Sequence, residues 1–460
     1  MNDPKRDAIE QRFNNIVVFF YCLLIVSLPV SIALVESLAG FVLFFFCIKK
    51  ALICIHDIKS RNSSGTLEII LSFFRPKDLF LNKTIALYIL SILISVMLSQ
   101  FHSESVIAFI AKLLEGYFLY FSFVDCVKTR NQLKKCIAVF VFTVAVMAVD
   151  GIFQYFAKVD FLRQLPLVDH RVSATLRHAN DFGAYLIVFI PMVFGLMALS
   201  LRKGSLTIKE WGSGFLGNYL FSKAILIAAF AVMLACLGLT FSRGSWVGFW
   251  FAMIVFVIVS RKYFIPVLLV SLVFLAIFLP FLMKFRDVSF TTDSVSLARD
   301  YGNIEQTPEH LSKLTQIERD RVVSAHKFSL GMGRFGFWEE ATGLIKKYPF
   351  FGSGLNTYSK LTTGYAHNCY LQMAGETGIV GLIAFLALIA VLFWRSVHAY
   401  SSLNDPFLES VLAGALAGFA GFLLQSFFDT TLYSVQLANL MWIIMGLIVA
   451  IPRTVSAQVE

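Results

Sequence analysis

The sequence predicts an all-α fold, a polytopic membrane helical bundle of about twelve transmembrane helices with a long external segment containing an amphipathic helix. Composition is the first reason. Hydrophobic residues fill 58% of the 460 positions and charged residues 15%, and a mean hydropathy of +0.74 leaves too little polar surface for a soluble domain. The second reason is the recurrence of apolar runs about 20 residues long. Inside a bilayer every backbone polar group needs a partner, and runs of that length meet the requirement as helices rather than as barrel strands. The third is the placing of Lys and Arg in alternate loops, the bias that orients membrane helices.

In chain order the apolar runs fall at 15–36, 37–55, 84–100, 105–126, 136–157, 182–201, 222–241, 245–260, 264–283, 377–395, 407–428 and 434–451. The charged start MNDPKRDAIEQRF precedes a run too long for a signal-peptide core, so it is expected to be a cytoplasmic tail. An even number of spans returns both termini to one side. Loops on that side carry Lys49, Lys50, Lys128, Arg130, Lys134, Lys135, Arg202, Lys203, Arg261, Lys262, Arg395 and Arg453, which predicts that both ends are cytoplasmic. The same bias accounts for most of the net charge of +10, which in a soluble chain would point to nucleic acid. LEIILSFF, between Arg61 and Lys83, is too short to span and is expected at the interface. The chain divides into an amino-terminal bundle (1–283), an external loop (284–366) and a carboxyl-terminal bundle (367–460).

On the external side the short loops near Glu36, from Gln100 to Glu104 and near Asp429 contain no Lys or Arg. Three places depart from this: the loop from Lys158 to Asp181, with Arg163, His170, Arg171, Arg177 and His178; the tight turn Ser242-Arg243-Gly244; and the long segment from Lys284 to Ala366. External basic residues concentrated in three places are expected to converge on one anionic site. Within the spans, Lys112 and Glu115 stand three apart and are expected to pair across a helical turn, and Asp150 is expected to have a structural partner.

From Lys284 to about Val322 no periodicity stands out, and Glu305, Glu309, Glu318 and Asp320 read as solvated faces. Further on, Arg334, Trp338, Ala341 and Ile345 share one face of a helix that ends before Pro349. Gly352 and Gly354 mark a turn, without the Lys-Ser/Thr of a Walker loop. Gly375, Gly378 and Gly381 allow close helix approach. His367 stands just outside a span, where an imidazole within reach of water can accept a proton. Arg243 and Arg334 each carry the planar fork suited to bidentate phosphate contact, although either could also be a headgroup anchor. None of the seven cysteines forms a CxxC pair, which argues against a zinc site or a disulfide scaffold.

These residues resemble those of the bacterial O-antigen ligase and polymerase superfamily, closest to the ligases. The ligase signature is His, then Asn, Ser or Gln, nine residues, Gly, two residues, and Gly, Thr or Tyr; His367, Asn368, Gly378 and Gly381 match it in full. The HAND tetrapeptide (His178 to Asp181) before a span, SRGSW at the end of a hairpin (Ser242 to Trp246), an Arg-x-x-x-Trp helix (Arg334 and Trp338) and the Pro349-x-x-Gly352-x-Gly354 turn follow in the family's order. The resemblance implies transfer of a glycan from undecaprenyl pyrophosphate to a hydroxyl of lipid A-core oligosaccharide. Transfer would occur at the periplasmic face of the bacterial inner membrane, with inversion and with neither cofactor, metal nor nucleotide. His367 would be the catalytic base and Arg243 and Arg334 the pyrophosphate ligands, supported by Asn368, Ser242, Arg171, Arg177, His178, Trp338, Gly378 and Gly381. Partners would be the lipid-linked donor, a lipid A-core or glycan acceptor and membrane lipids, with no nucleic acid. An O-antigen or exopolysaccharide polymerase is the alternative within the superfamily. A lipid-linked glycan flippase is the alternative of another class, carried by Lys112, Glu115 and Asp150.

Overall fold

The computed structural model describes residues 3–60, 81–202, 223–280 and 333–456. LEIILSFF, the acidic cluster from Glu305 to Asp320 and the side chain of Arg334 lie outside the described residues. Among those described, the regular elements are all helices. They are α1 (Pro4–Ser27), α2 (Ile32–Ser60), α3 (Asn82–Met97), α4 (His102–Cys126), α5 (Arg130–Ala157), α6 (Ala179–Arg202), α7 (Lys223–Leu239), α8 (Arg243–Ser260), α9 (Phe264–Pro280), α10 (Gly333–Lys347), α11 (Tyr358–Leu361), α12 (Cys369–Ser401), α13 (Pro406–Gln425) and α14 (Val435–Ser456). Nine of them are long and apolar enough to cross a membrane, which makes the chain a polytopic helical membrane protein. The shorter α3, α7 and α9 coincide with three further apolar runs.

The first hairpin turns earlier than the apolar pattern predicts. The break is at residues 28–31, around Pro29, so Glu36 lies inside α2 rather than in a loop. Proline withholds a backbone donor and ends α1 within an otherwise continuous apolar stretch. Gln436 and Thr175 fix the turn by donating to the carbonyls of Leu28 and Pro29, at 2.6 Å each.

Ion pairs gather the cationic residues at one end of the bundle. Lys49 and Lys50 meet Asp125 at 2.6 and 2.8 Å, Lys128 meets Glu10, Arg6 meets Asp57 at 3.1 Å and Arg130 meets Asp405. The opposite end is built from the loop after α5, the α7–α8 hairpin tip, the loop before α12 and the α13–α14 loop. Asp150 serves the first of these by accepting the Phe161 N–H at 2.8 Å, and Gln154 accepts from Ser173 and Ala174 at 2.9 and 2.8 Å.

Lys112 and Glu115 do not pair with one another. A π-helical turn over Phe109–Leu114 carries Lys112 to Asn356 at 2.8 Å, while Glu115 accepts from Asn439 at 3.3 Å. The widened turn alters the helical register on which an i,i+3 expectation depends.

The closest helix packing joins α13 to α6 and α8. A side chain at Gly418 would run into the carbonyl of Val188, so backbone approaches backbone there, as between membrane helices that lack a hydrophobic drive to associate. This packing places the start of α6 and the start of α8 beside the end of α13.

Candidate active site

The α7–α8 tip turns in very few residues. Ser242 caps α8 by accepting from the Ser245 N–H at 3.4 Å and its hydroxyl at 2.9 Å, and Trp246 Nε1 donates back to the Leu237 carbonyl at 3.0 Å. Arg243 is therefore the first helical residue and is exposed. Together with Arg171, Asn180, Ser242, Gln425 and Asp429 it lines a pocket of about 350 Å³. The amino-terminal end of α8 also faces this pocket, and unpaired N–H groups at such an end favour an anion.

The loop after α5 brings in Arg171. Its Nε donates to the Thr240 carbonyl at 2.8 Å and its Nη2 to Asn180 Oδ1 at 2.6 Å. Asn180 Nδ2 donates in turn to Asp429 Oδ2. The other carboxylate oxygen of Asp429 meets His367 Nδ1 at 3.3 Å and accepts the Thr430 N–H at 2.8 Å. One line of polar contacts thus runs from the hairpin tip through Arg171, Asn180 and Asp429 to the imidazole. Burial alone would raise the Asp429 carboxyl, but the hydrogen bond and charge of His367, with the donors of Thr430 and Asn180, outweigh it and bring the carboxyl down to about 2.

His367 itself takes a left-handed backbone conformation, φ 49°, just before α12. Asn368 is buried and caps that helix, its Oδ1 accepting from the N–H groups of Tyr370 and Leu371 at 2.9 and 3.1 Å. Its contribution here is the helix start that follows the imidazole. The Cys369 N–H bonds the Ser426 carbonyl at 2.9 Å and its Sγ the Asp429 carbonyl at 3.1 Å, which ties the start of α12 to the loop holding Asp429.

Nine residues on, Gly378 breaks α12 with φ 70° and ψ −179°, a conformation essentially limited to glycine. Its role is thus a backbone kink in addition to the close packing read from the sequence. The freed groups are taken up by the turn at Pro349: Ile379 and Val380 donate to the carbonyls of Pro349 and Phe350 at 2.9 and 3.2 Å, and Gly354 donates to that of Glu376 at 2.9 Å. Gly352 and Gly354, both at positive φ, let this turn lie against the kink. Gly381 lies one turn further along, buried in α12.

The buried face of α10 is Phe337, Ala341 and Leu344, shifted from the Arg334, Trp338, Ala341 and Ile345 face. The shift sets the Phe337 ring edge-on to His367, centroids 5.3 Å apart, and the Trp338 ring against Phe427 at 5.9 Å. Arg334 lies in the first turn of this helix. Arg177 and His178 are exposed before α6, outside the pocket lining. Asp429 and Asn180 are the site residues that sequence reasoning passed over. Asn180 lies within the HAND tetrapeptide, whereas Asp429 is a single carboxylate in a short loop and belongs to no spacing pattern.

Comparison with known protein families matches residues 228–386 to the family described as O-antigen ligase. No curated protein matches the chain. The matched segment includes Arg243, Trp338, His367, Asn368, Gly378 and Gly381, so the hairpin tip and the signature lie within one family domain. Over residues 228–386 this polytopic membrane protein is therefore similar to the O-antigen ligase family.

Proposed function

We propose that the protein transfers an O-antigen-type glycan from undecaprenyl pyrophosphate to a hydroxyl of lipid A-core oligosaccharide. In this reading the end of the bundle carrying His367 faces the periplasm and both termini are cytoplasmic. The observation that carries the proposal is the polar line joining His367 to the pocket of Arg171 and Arg243. With the Nδ1 proton donated to Asp429, Nε2 keeps its lone pair and takes the proton of the acceptor hydroxyl as that oxygen attacks the anomeric carbon. The new bond forms between acceptor oxygen and anomeric carbon. The bond to the phosphate oxygen breaks, its electron pair leaves with undecaprenyl pyrophosphate, and the anomeric configuration inverts. Charge growing on the leaving pyrophosphate is met by Arg243, by the Arg171 guanidinium and by the N–H groups that open α8, with Arg334 as a further ligand from α10.

The test uses purified protein, lipid-linked donor and either lipid A-core or free glycan, with no ion gradient. Covalent product on lipid A-core is expected, whereas product on free glycan alone would identify a polymerase and none at all would favour a flippase. His367→Ala should abolish transfer in protein that still inserts. Arg243→Lys keeps the charge but loses the fork and should lower the rate by at least about tenfold. Wild-type rates in either variant would remove that residue from the mechanism.

A further inference from the structure

A second pocket, of about 110 Å³, lies between α3, α4, α12 and α14. The Asp429–Tyr433 segment separates it from the first: Asp429 lines one pocket, Leu432 and Tyr433 the other. Most of its wall is apolar, with Ile92, Phe385, Met441 and Trp442 among the lining side chains. Its rim carries Lys112, which the π-helical turn brings to the exposed surface of α4. Ile107 and Ile110 on the same helix, and Leu90 and Leu93 on α3, are also exposed, so the rim opens sideways onto the bilayer. Lys112 stands about 20 Å along α4 from Asp125 and the cationic end of the bundle, in the half nearer His367, from which its long side chain can reach toward the headgroup layer.

We propose that this pocket binds a bilayer phospholipid, with part of one acyl chain inside and the phosphodiester on Lys112. The volume admits roughly eight water-sized groups, enough for a length of chain. An ammonium has three donors; Asn356 takes one, at 2.8 Å, leaving capacity for a phosphate oxygen. Glu376, the acidic group of the lining, has its oxygens on the N–H groups of Asn356 and Tyr358 at 3.0 and 3.2 Å. Lys112 is the one cation among the described lining residues, and a single ammonium, partly offset by Glu376, suits the one negative charge of a phosphodiester better than the several of a pyrophosphate. The pocket of Arg171 and Arg243, with two guanidinium groups, has the opposite preference. A lysine on the lipid-facing side of a span is costly unless it has an anion, and a phospholipid supplies one.

The site does not depend on the transfer reaction, and its test involves no glycan. Full-length protein in mild detergent, titrated with dioleoyl phosphatidylglycerol and followed by native mass spectrometry, should retain one tightly held lipid. Lys112→Gln should weaken retention by at least about tenfold, and Lys112→Arg should preserve it. Ala438→Phe, which fills the pocket from α14, should also release the lipid; a thermal melt checks that this variant is folded, and Lys112→Gln decides the matter if it is not. Equal retention by wild type and Lys112→Gln would overturn the proposal. So would displacement by millimolar inorganic phosphate, which lacks a chain, or by equimolar undecaprenyl phosphate, which would make the pocket an isoprenoid site.

Discussion

Asp429 is a carboxylate whose burial favours its neutral form and whose partners keep it charged. Its carboxyl sits near 2 in the folded protein against an ordinary aspartate value near 4, so the folded state binds the proton less tightly than the unfolded chain. The resulting stability, about 2 kcal/mol, is fully present above pH 4 and is lost as pH falls from about 4 to about 2. Thermal unfolding in detergent across that range should show the loss in wild type and a shallower slope in Asp429→Asn. The same substitution tests positioning. Without the carboxylate that holds Nδ1, the imidazole loses its orientation and tautomer, so transfer per folded molecule by Asp429→Asn should fall on the order of a hundredfold. A purely structural role for Asp429 would lower the amount of folded protein and leave the rate per folded molecule in place. The sequence marked His367 because it stands in a spaced signature, and Arg243 because it interrupts a turn between spans. Asp429 carries no such mark, since its meaning comes from a contact 62 residues away in the chain.

At the scale of elements, the informative departures are places where backbone geometry overrides periodicity. α12 contains a residue that is not helical, and the glycine spacing gave no means to tell a kink from a packing face. At Gly378 a side chain would collide with the Phe350 carbonyl, and its conformation alone costs about 1–3 kcal/mol for other residues. Gly378→Ala should therefore lower the melting temperature and detach the Pro349 turn. Gly343→Ala, in α10 with open space around it, should leave stability unchanged or raise it by up to about 1 kcal/mol. Equal melting of the two variants would show that the kink is not needed. The amphipathic pattern of α10 identified the element but missed its rotation, because alanine and tryptophan fit either face. The side chain that settles the rotation, Phe337, does so through packing on His367, which lies 30 residues further along the chain.

Across the whole molecule, hydropathy located the membrane helices because each must bury its backbone and cover about 30 Å of hydrocarbon, which leaves a long apolar record in sequence. The turn around Pro29 was misplaced for the same reason, since apolar residues continue through it. The segregation of Lys49, Lys50, Lys128 and Arg130 to one end and of Arg171, Arg243 and His367 to the other predicts opposite exposures. In a variant cleared of its native cysteines, a membrane-impermeant thiol reagent added from the periplasm should label a cysteine at Arg177 and spare one at Lys128. The converse pattern would invert the proposed orientation. The α13–α14 loop carries a further consequence for anyone who would shorten the chain. A fragment cut to the family domain would retain every signature residue, yet it would stop at residue 386, before the anion that steadies its imidazole, and start at 228, after the asparagine and arginine that link that anion to the hairpin tip. Such a fragment would keep the signature by inspection and, on the proposed mechanism, be left without a working base.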